Sequence, residues 1–353
     1  MTRASWGGSF WDGYTRTFLR GGLAVIAASN LFGVATDLAH DQRGPWSHPF
    51  APEWLLSLGG SPLVGVLLAV GLGALWRFAR QPGQVRAGVV ALLTMALLVE
   101  ADAALNEGPK RHFFAPGLAL LGWIVGLAFA RLSAWRAGQH EAVDVQWLEA
   151  HAEMGAVAAL AGNYVDAVGS KLLHVGAHWA NDTTLRSIVL AHHTLGDPSL
   201  AGRYAAFVAG NAPVAQALSI ATLLVQGGAC LMLLGLRWRL IAGLAIFLFH
   251  SNVELLTGIG YGPARTLLLL FCLPWPRFMP QLVRWWPRAR TLFEPAHPVT
   301  KPSLSGTQLA QVGALVVGVV AVVVLFAQVV PIRAYAAMHH SYHGERAGPR
   351  PQQ

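Results

Sequence analysis

The sequence predicts an all-α integral membrane protein: a polytopic bundle of about eight to nine transmembrane helices with an amphipathic extracytoplasmic loop. Of the 353 residues, 54% are hydrophobic and only 12% are charged, whereas soluble domains carry roughly 25% charged residues. The apolar residues also form long runs, and a run of about 20 residues is what an α-helix needs to cross the hydrocarbon core of a bilayer.

Nine apolar segments are predicted to span the membrane. The eighth is the weakest of them, because Pro274 and Pro276 end its apolar run early and favour a half-span or a tilted helix. No cleavable signal peptide is expected before the first segment, since its apolar run is long and has no small-residue cleavage site. The predicted spans are about 18–38, 61–79, 87–105, 114–134, 153–173, 213–235, 239–259, 264–281 and 308–331.

The positions of the arginines predict the orientation. Arginine clusters precede the first span and follow the second, fourth, sixth and eighth, whereas the alternate loops contain fewer basic residues. Because cytoplasmic loops are enriched in Lys and Arg, the amino terminus is predicted to be cytoplasmic and the carboxyl terminus to lie outside. This distribution also argues that the net charge of +8 does not reflect a nucleic-acid-binding face.

Two connecting segments are amphipathic. The longest outward segment runs from about 174 to 212, and its sequence LRSIVLAHH is predicted to lie along the membrane interface. The segment 136–152 resembles it on the inward side. The chain is accordingly divided into a transmembrane domain (1–281), a Pro- and Arg-rich cytoplasmic linker (282–307), an additional helix (308–331) and a polar disordered tail (332–353). Trp285 and Trp286 form an aromatic anchor within the linker.

Three polar residues within or beside the spans are the candidates for catalysis: Lys171, His112 and His250. Ionisable groups in a membrane are costly and are often functional. The structural alternatives are a lysine whose amine reaches the interface, an interfacial histidine and a hydrogen-bonded core histidine. The predicted orientation places all three in the outer half of the bilayer, and we therefore expect one polar cavity that opens outward.

Proton transfer is the chemistry that such a cavity favours. Burial penalises the ammonium form of a lysine, and a neutral amine is a competent base. A histidine can donate a proton to a developing anion or accept one. No metal is predicted, because the histidines of the segment 174–212 match no strong metal-binding pattern. Cys230 and Cys272 lie in apolar segments and predict neither a disulfide nor a metal site.

Several of these segments resemble the vitamin K-dependent gamma-carboxylase family, whose membrane part is also called the HTTM domain. DAVGSKLLHVGAHWANDTTL resembles the family's AG-x-x-K-L…W-x-x-G stretch, and FLFHSNVELLTGIGYGPARTLLLL resembles its FH…G-x-F helix. KRHFFAPGLALLGW is similar to its NH-x-Y-L helix start, and FLRGGLAVIAASNLFGVATDLAHD to its first span. The resemblance covers most of residues 15–280.

The resemblance implies a membrane-embedded, carboxylase-like enzyme that modifies a peptide or small molecule at the extracytoplasmic face. Lys171 would be the base that deprotonates a reduced vitamin K or menaquinol-like quinone. His112 would assist the addition of CO2, and His250 would line the same cavity. Trp179, Asn252 and Tyr164 are then the candidates for binding the quinone, and His174, His178 and Arg111 for binding the substrate. The expected partners are membrane lipid and a secreted peptide.

The chain also departs from that family. Carboxylases of the family carry a large non-membrane domain after their helices, whereas here one more predicted helix and a tail follow. Arg111 stands where the family has an asparagine, Ser170 precedes the lysine, and Tyr261-Gly262 replaces the usual aromatic. Two alternatives stay open: an accessory protein for maturation, export or immunity of a secreted peptide, and a quinone- or lipid-binding subunit. A transporter is not favoured, since no inverted repeat is visible.

Overall fold

The computed structural model describes residues 10–40, 53–105, 114–136, 144–192 and 198–294, and within these ranges the chain is helical without a strand. Two 3₁₀ segments, Gly176–Ala180 and Gly228–Leu233, interrupt the α-helices. The helices are α1 (Phe10–His40), α2 (Glu53–Leu56), α3 (Pro62–Arg80), α4 (Val85–Leu105), α5 (Phe114–Arg136), α6 (Val145–Val175), α7 (Asp182–His192), α8 (Leu200–Gly210), α9 (Ala212–Gly227), α10 (Leu236–Thr257), α11 (Gly262–Cys272), α12 (Trp275–Trp285) and α13 (Arg288–Leu292).

The described part of the chain has the helices of a multi-pass membrane protein. Six are long and apolar enough to cross a bilayer, and a bent pair made of α11 and α12 raises the number to seven if the pair counts as one span. The six are Asp12–His40, Pro62–Arg80, Val85–Leu105, Ala115–Arg136, Ala212–Leu233 and Leu236–Thr257. They agree with the first four predicted spans and with the sixth and seventh.

The other predicted spans have different outcomes. The fifth lies within α6, a helix of 31 residues that is not among the six because polar side chains interrupt its apolar run. The eighth bends by 95° between α11 and α12, at the two prolines that weakened the prediction. The ninth lies outside the described residues. The count of nine therefore stays a prediction.

The structure also differs from the prediction in three connecting segments. Residues 145–152 are not a separate interfacial segment but the first two turns of α6. The segment 174–212, predicted to be an amphipathic extracytoplasmic loop, contains α7 and α8, which share a small apolar core with α9 and α10. The predicted domain boundary between residues 281 and 282 falls inside α12. Trp285 continues the apolar face of this helix past the predicted boundary.

The tightest helix contact joins α5 and α6 through three glycines. A Cβ atom at Gly122 would overlap the carbonyl oxygen of Gly155, and one at Gly126 would overlap that of His151. A Cβ at Gly155 would in turn meet the carbonyl of Gly122. Small residues let membrane helices approach until their backbones touch, which increases van der Waals contact. The glycines thus hold α6 directly against α5.

Charged residues of three helices converge at the amino-terminal end of α6. Arg20 of α1 forms an ion pair with Glu149, and both side chains are almost fully buried. Arg239 of α10 donates to Glu153 over 2.7 Å, and Arg16 lies 3.9 Å from the same carboxylate. Arg20 also donates to the Ala79 carbonyl near the end of α3. One buried and one partly buried carboxylate are therefore neutralised by three guanidinium groups, as charges removed from water require.

These contacts define one end of the bundle, which we call the basic end. It contains the amino-terminal ends of α1, α6 and α10 and the carboxyl-terminal end of α3. Arg131, near the end of α5, donates to the Gly83 carbonyl before α4 and joins these helices to the same end. Exposed arginines of the neighbouring segments lie there too: Arg77, Arg80, Arg86 and Arg136. The arginine clusters that predicted the cytoplasmic side thus lie together at one end of the bundle. Which side of the membrane this end faces stays a prediction.

Helices α6 and α10 run in parallel at a fixed register. Arg239 contacts Glu153 and His250 contacts Tyr164, and in both pairs the partners are 86 residues apart. The two contacts are separated by 11 residues on each helix, or about 16 Å, which is close to three full turns. Helix α11 runs the opposite way along α10, since its Tyr261 end lies on His250 and its Cys272 end covers Gly243.

The α5–α6 contact predicts a strong effect of one added methyl group. Gly155→Ala places a Cβ atom against the Gly122 carbonyl and forces the helices apart, with an expected loss of about 1–3 kcal/mol of stability. Gly169→Ala on the same helix is the control, because a Cβ there meets nothing within 4 Å. Unfolding of the purified protein in detergent measures both. Equal stability of the two variants would contradict the contact.

The buried ion pair predicts a second effect. Arg20→Met leaves the Glu149 carboxylate buried without its main counter-charge, which should destabilise the fold by about 3–5 kcal/mol. Arg77→Met removes an exposed arginine from the same end and should change stability by no more than about 0.5 kcal/mol. The same unfolding measurement distinguishes them, and a mild effect of Arg20→Met would show that Glu149 does not depend on it.

Candidate functional site

One face of α6 carries two of the predicted site residues. Tyr164 and Lys171 are seven residues apart, so they lie on the same side of the helix about two turns from each other. Tyr164 is 4% exposed, whereas Lys171 is half-buried near the end of the helix that is opposite to the basic end. This face therefore presents a phenol and an amine along one line toward α9 and α10.

Tyr164 is paired with His250 of α10. Its hydroxyl lies 2.8 Å from Nε2 of the imidazole, and both side chains are buried. Tyr261, at the start of α11, stacks on the same imidazole with ring centroids 4.4 Å apart. The Nδ1 atom of His250 is buried and has no hydrogen-bond partner among the described residues. The histidine is thus held between two phenols, with one ring nitrogen unused.

Lys171 is held by a residue of another helix. Its amine donates to Oε1 of Gln226 over 2.8 Å and to the Ala167 carbonyl over 3.3 Å. Gln226 is 6% exposed and ends α9 within a candidate span. The amine therefore lies against a buried amide in the bundle, and it does not extend fully into solvent.

The end of α6 explains why Trp179 covers this amine. Gly176 adopts a φ of +64°, which favours glycine, and it turns the chain out of α6 into the 3₁₀ segment Gly176–Ala180. This turn places the Trp179 ring 5.1 Å from Nζ of Lys171. An aromatic face attracts a nearby ammonium group. Trp179 thus contributes to one wall around Lys171.

A second polar group flanks His250 on α10. Asn252 accepts a hydrogen bond from the Tyr204 hydroxyl of α8 over 2.8 Å. Burial raises the pKa of the Tyr204 phenol above its ordinary value, so this group is a neutral donor. Glu254 forms an ion pair with Arg265 of α11 at 2.6 Å. Helices α8 and α11 are therefore tied to the same end of α10.

The structure brings together some of the predicted site residues. Tyr164 contacts His250, and Lys171 contacts Trp179, so one pair lies two turns above the other along α6. Asn252 contacts Tyr204, and His178 is exposed in the 3₁₀ segment, where its carbonyl accepts a hydrogen bond from Thr184. Arg111, His112 and the side chain of His174 lie outside what the structure describes, and their roles stay predictions.

Three residues of the site were not predicted as site residues from the sequence. Gln226, Tyr204 and Tyr261 complete the contacts of Lys171, Asn252 and His250. Gln226 gave a weak signal, since it is an amide inside an apolar run, but nothing in the sequence pairs it with Lys171. Tyr261 was noted as a departure from the resembled family, and the structure shows that it still supplies an aromatic ring beside the histidine.

Metal binding finds no geometric basis in the described ranges. Within them, no three His, Cys, Asp or Glu side chains lie close enough together to hold a metal ion. The contacts of the site are instead those of hydrogen-bonded amine, amide, phenol and imidazole groups. Such groups bind and transfer protons.

The fold and the site define the chain as a multi-pass helical membrane protein with a polar site among its helices. Comparisons with family models, with curated protein sequences and with solved structures give no match.

The contact between Tyr164 and His250 predicts coupled substitutions. Tyr164→Phe should cost about 1–3 kcal/mol because it leaves a buried nitrogen unsatisfied. His250→Phe should have a similar cost because it leaves the buried hydroxyl of Tyr164 without its partner. The double variant removes both polar groups and should be more stable than the sum predicts, with a coupling of about 0.5–3 kcal/mol. Unfolding of the four proteins in detergent measures this cycle, and additive losses would show that the pair is not coupled.

Proposed function

We propose that the protein is a membrane-embedded enzyme of the vitamin K-dependent gamma-carboxylase type, in which Lys171 is the base. The observation that carries this proposal is the position of the Lys171 amine, which is bound to the buried amide of Gln226 and covered by Trp179. A lysine at the same place in the resembled family deprotonates the reduced quinone. The substrate would be a peptide or small molecule at the extracytoplasmic face.

The contacts of Lys171 suit a base. A neutral amine has two N–H bonds and one lone pair. The Gln226 amide oxygen and the Ala167 carbonyl oxygen accept hydrogen bonds from the amine, and in the neutral form the lone pair of its nitrogen would accept a proton. The Trp179 ring would stabilise the charged form that follows proton transfer. The site can therefore support both states of the amine.

His250 supports the binding of a quinone. If Tyr164 donates to Nε2, the proton of the imidazole is on Nδ1, the buried atom that has no partner among the described residues. That N–H is a donor suited to a quinone oxygen, and Tyr261 and Trp179 offer aromatic faces for a flat ring. A reduced quinone, when bound, would supply the acidic proton, and its oxidation by O2 would drive removal of a substrate C–H proton, after which CO2 adds to the carbanion. Asn252 adds an amide, and His112 stays the proposed assistant of CO2 addition.

The proposed orientation follows from the basic end. If that end is cytoplasmic, as the arginine distribution predicts, α6 and α10 both end at the extracytoplasmic side. Lys171, Trp179 and His178 then lie near that side, where a secreted peptide could approach. His174, His178 and Arg111 stay the proposed substrate contacts.

Substitution of the lysine tests the proposal. The purified protein is incubated with reduced vitamin K, oxygen, isotopically labelled bicarbonate and glutamate-containing peptides, and quinol oxidation and label incorporation are measured together. Lys171→Ala should lower both rates by about 10²-fold or more, because the base is removed. Lys171→Arg should be equally inactive although it keeps the positive charge, since a guanidinium does not deprotonate.

Thr183→Ala is the matched control for folding and general damage, because this exposed side chain lies in the first turn of the adjacent helix α7 and is not part of the proposed site. It should leave quinol oxidation intact. Quinol oxidation that is unchanged in Lys171→Ala would contradict the assignment of the base. A co-purified quinone without turnover of any peptide would instead identify a quinone-binding subunit.

An accessory role in peptide maturation, export or immunity is the second candidate, and the folded α7–α8 unit favours it. This unit buries Val189, Ala205 and Val208 in the small core that it shares with α9 and α10, and Arg186 joins its two helices by donating to the Ala209 carbonyl over 2.7 Å. It therefore offers a defined surface for a peptide. In this case Lys171→Ala would retain the cellular function, and changes on the exposed face of α7–α8 would remove it.

A further inference from the structure

Helix α12 crosses the basic end of the bundle. It leaves α11 at an angle of 95°, and α11 itself runs antiparallel to the membrane-spanning α10. Its first residue, Trp275, packs on Phe18 of α1 with ring centroids 4.6 Å apart, and Phe293 after α13 contacts the same ring at 5.3 Å. Helix α12 is therefore roughly perpendicular to α11 at the basic end, and its first residue and the residue that follows α13 both contact α1.

The side chains of α12 fall into three rows. Met279 is fully buried on the side that faces the bundle. Phe278 and Trp285, seven residues apart, form a second row and are 47% and 83% exposed. Arg277 and Arg284 form a third row, also seven residues apart, and are exposed. The aromatic and basic rows are one residue out of step and thus about 100° apart around the helix.

The charge of this segment has one sign. Residues 275–293 contain Arg277, Arg284, Arg288 and Arg290 and no acidic residue. All four arginines are exposed, and among the described residues no carboxylate pairs with them. An exposed aromatic row beside an unpaired basic row is the pattern of a helix whose rings enter the acyl boundary while its guanidinium groups meet headgroup phosphates.

We propose that α12 and α13 form a docking surface for anionic phospholipid. Phe278 and Trp285 enter the bilayer beside α1, and the four arginines bind phosphate groups of the same leaflet. An acidic protein is a less suitable occupant, because the aromatic row lies at the level where the spans meet the membrane boundary. This surface lies at the opposite end of α6 from Lys171 and does not depend on the proposed enzyme activity.

Lipid selectivity tests the proposal. The full-length protein in mild detergent is titrated with phosphatidylglycerol or phosphatidylcholine, and bound lipid is counted by native mass spectrometry. The wild-type protein should prefer phosphatidylglycerol, and this preference should weaken at high salt. The R277Q/R284Q/R288Q/R290Q variant should bind phosphatidylglycerol on the order of tenfold more weakly, with little change for phosphatidylcholine.

The matched control removes four other exposed arginines of the same end, as R77Q/R80Q/R86Q/R136Q. It has the same net charge as the test variant and should keep most of the preference. An equal loss in both variants would show that the lipid responds to the total charge of the basic end, and an unchanged preference in the test variant would show that these arginines bind no lipid. Either result would overturn the proposal.

The aromatic row has an independent test. In nanodiscs, brominated acyl chains should quench part of the tryptophan fluorescence of the wild-type protein, and W285F should reduce that quenched part. If aqueous iodide quenches the Trp285 contribution and brominated lipid does not, the row faces water. The surface would then be available to a soluble partner, and the lipid assignment would be wrong.

Discussion

The direct backbone contact between α5 and α6 is the constraint on which the rest of the structure depends. With Gly122, Gly126 and Gly155 at the interface, the two helices approach until carbonyl groups of one meet the Cα atoms of the other. In lipid, where apolar side chains gain little from leaving the solvent, such close packing is a main source of helix association. It fixes a helix that is too polar to be stable alone in the centre of the bundle.

The polar residues of α6 are then satisfied by the helices around it. Arg20 and Arg239 neutralise Glu149 and Glu153 at one end, while Gln226 binds Lys171 at the other. Each of these groups would cost several kcal/mol in hydrocarbon without a partner. The same helix therefore combines a structural ion network at one end with the candidate site at the other.

Much of the fold could be predicted because apolar runs and glycines are local signals. Six predicted spans coincide with long apolar helices, and the prolines correctly marked the eighth as the weakest. The start of α6 was missed because Glu149 and His151 read as polar connecting residues, whereas the ion pair with Arg20 of α1 offsets the burial of Glu149. Such compensation depends on residues more than 100 positions away in the chain, which periodicity does not reveal.

The candidate site could be predicted only in outline. Lys171 and His250 stood out because each interrupts an apolar run, but their partners Gln226 and Tyr261 are ordinary residues in their own segments. Sequence spacing identified which groups are costly, and only the packing of α9 and α11 shows what holds them.

The parallel register of α6 and α10 has a consequence for recognising relatives of this protein. Because Glu153 and Tyr164 are separated by the same 11 residues as Arg239 and His250, an insertion within either interval would rotate one partner away from its contact. The stretch of chain that joins the two helices carries no such restriction. A Glu-x₁₀-Tyr helix followed at variable distance by an Arg-x₁₀-His helix is therefore a compact signature, one that would survive after the surrounding apolar residues have diverged beyond detection.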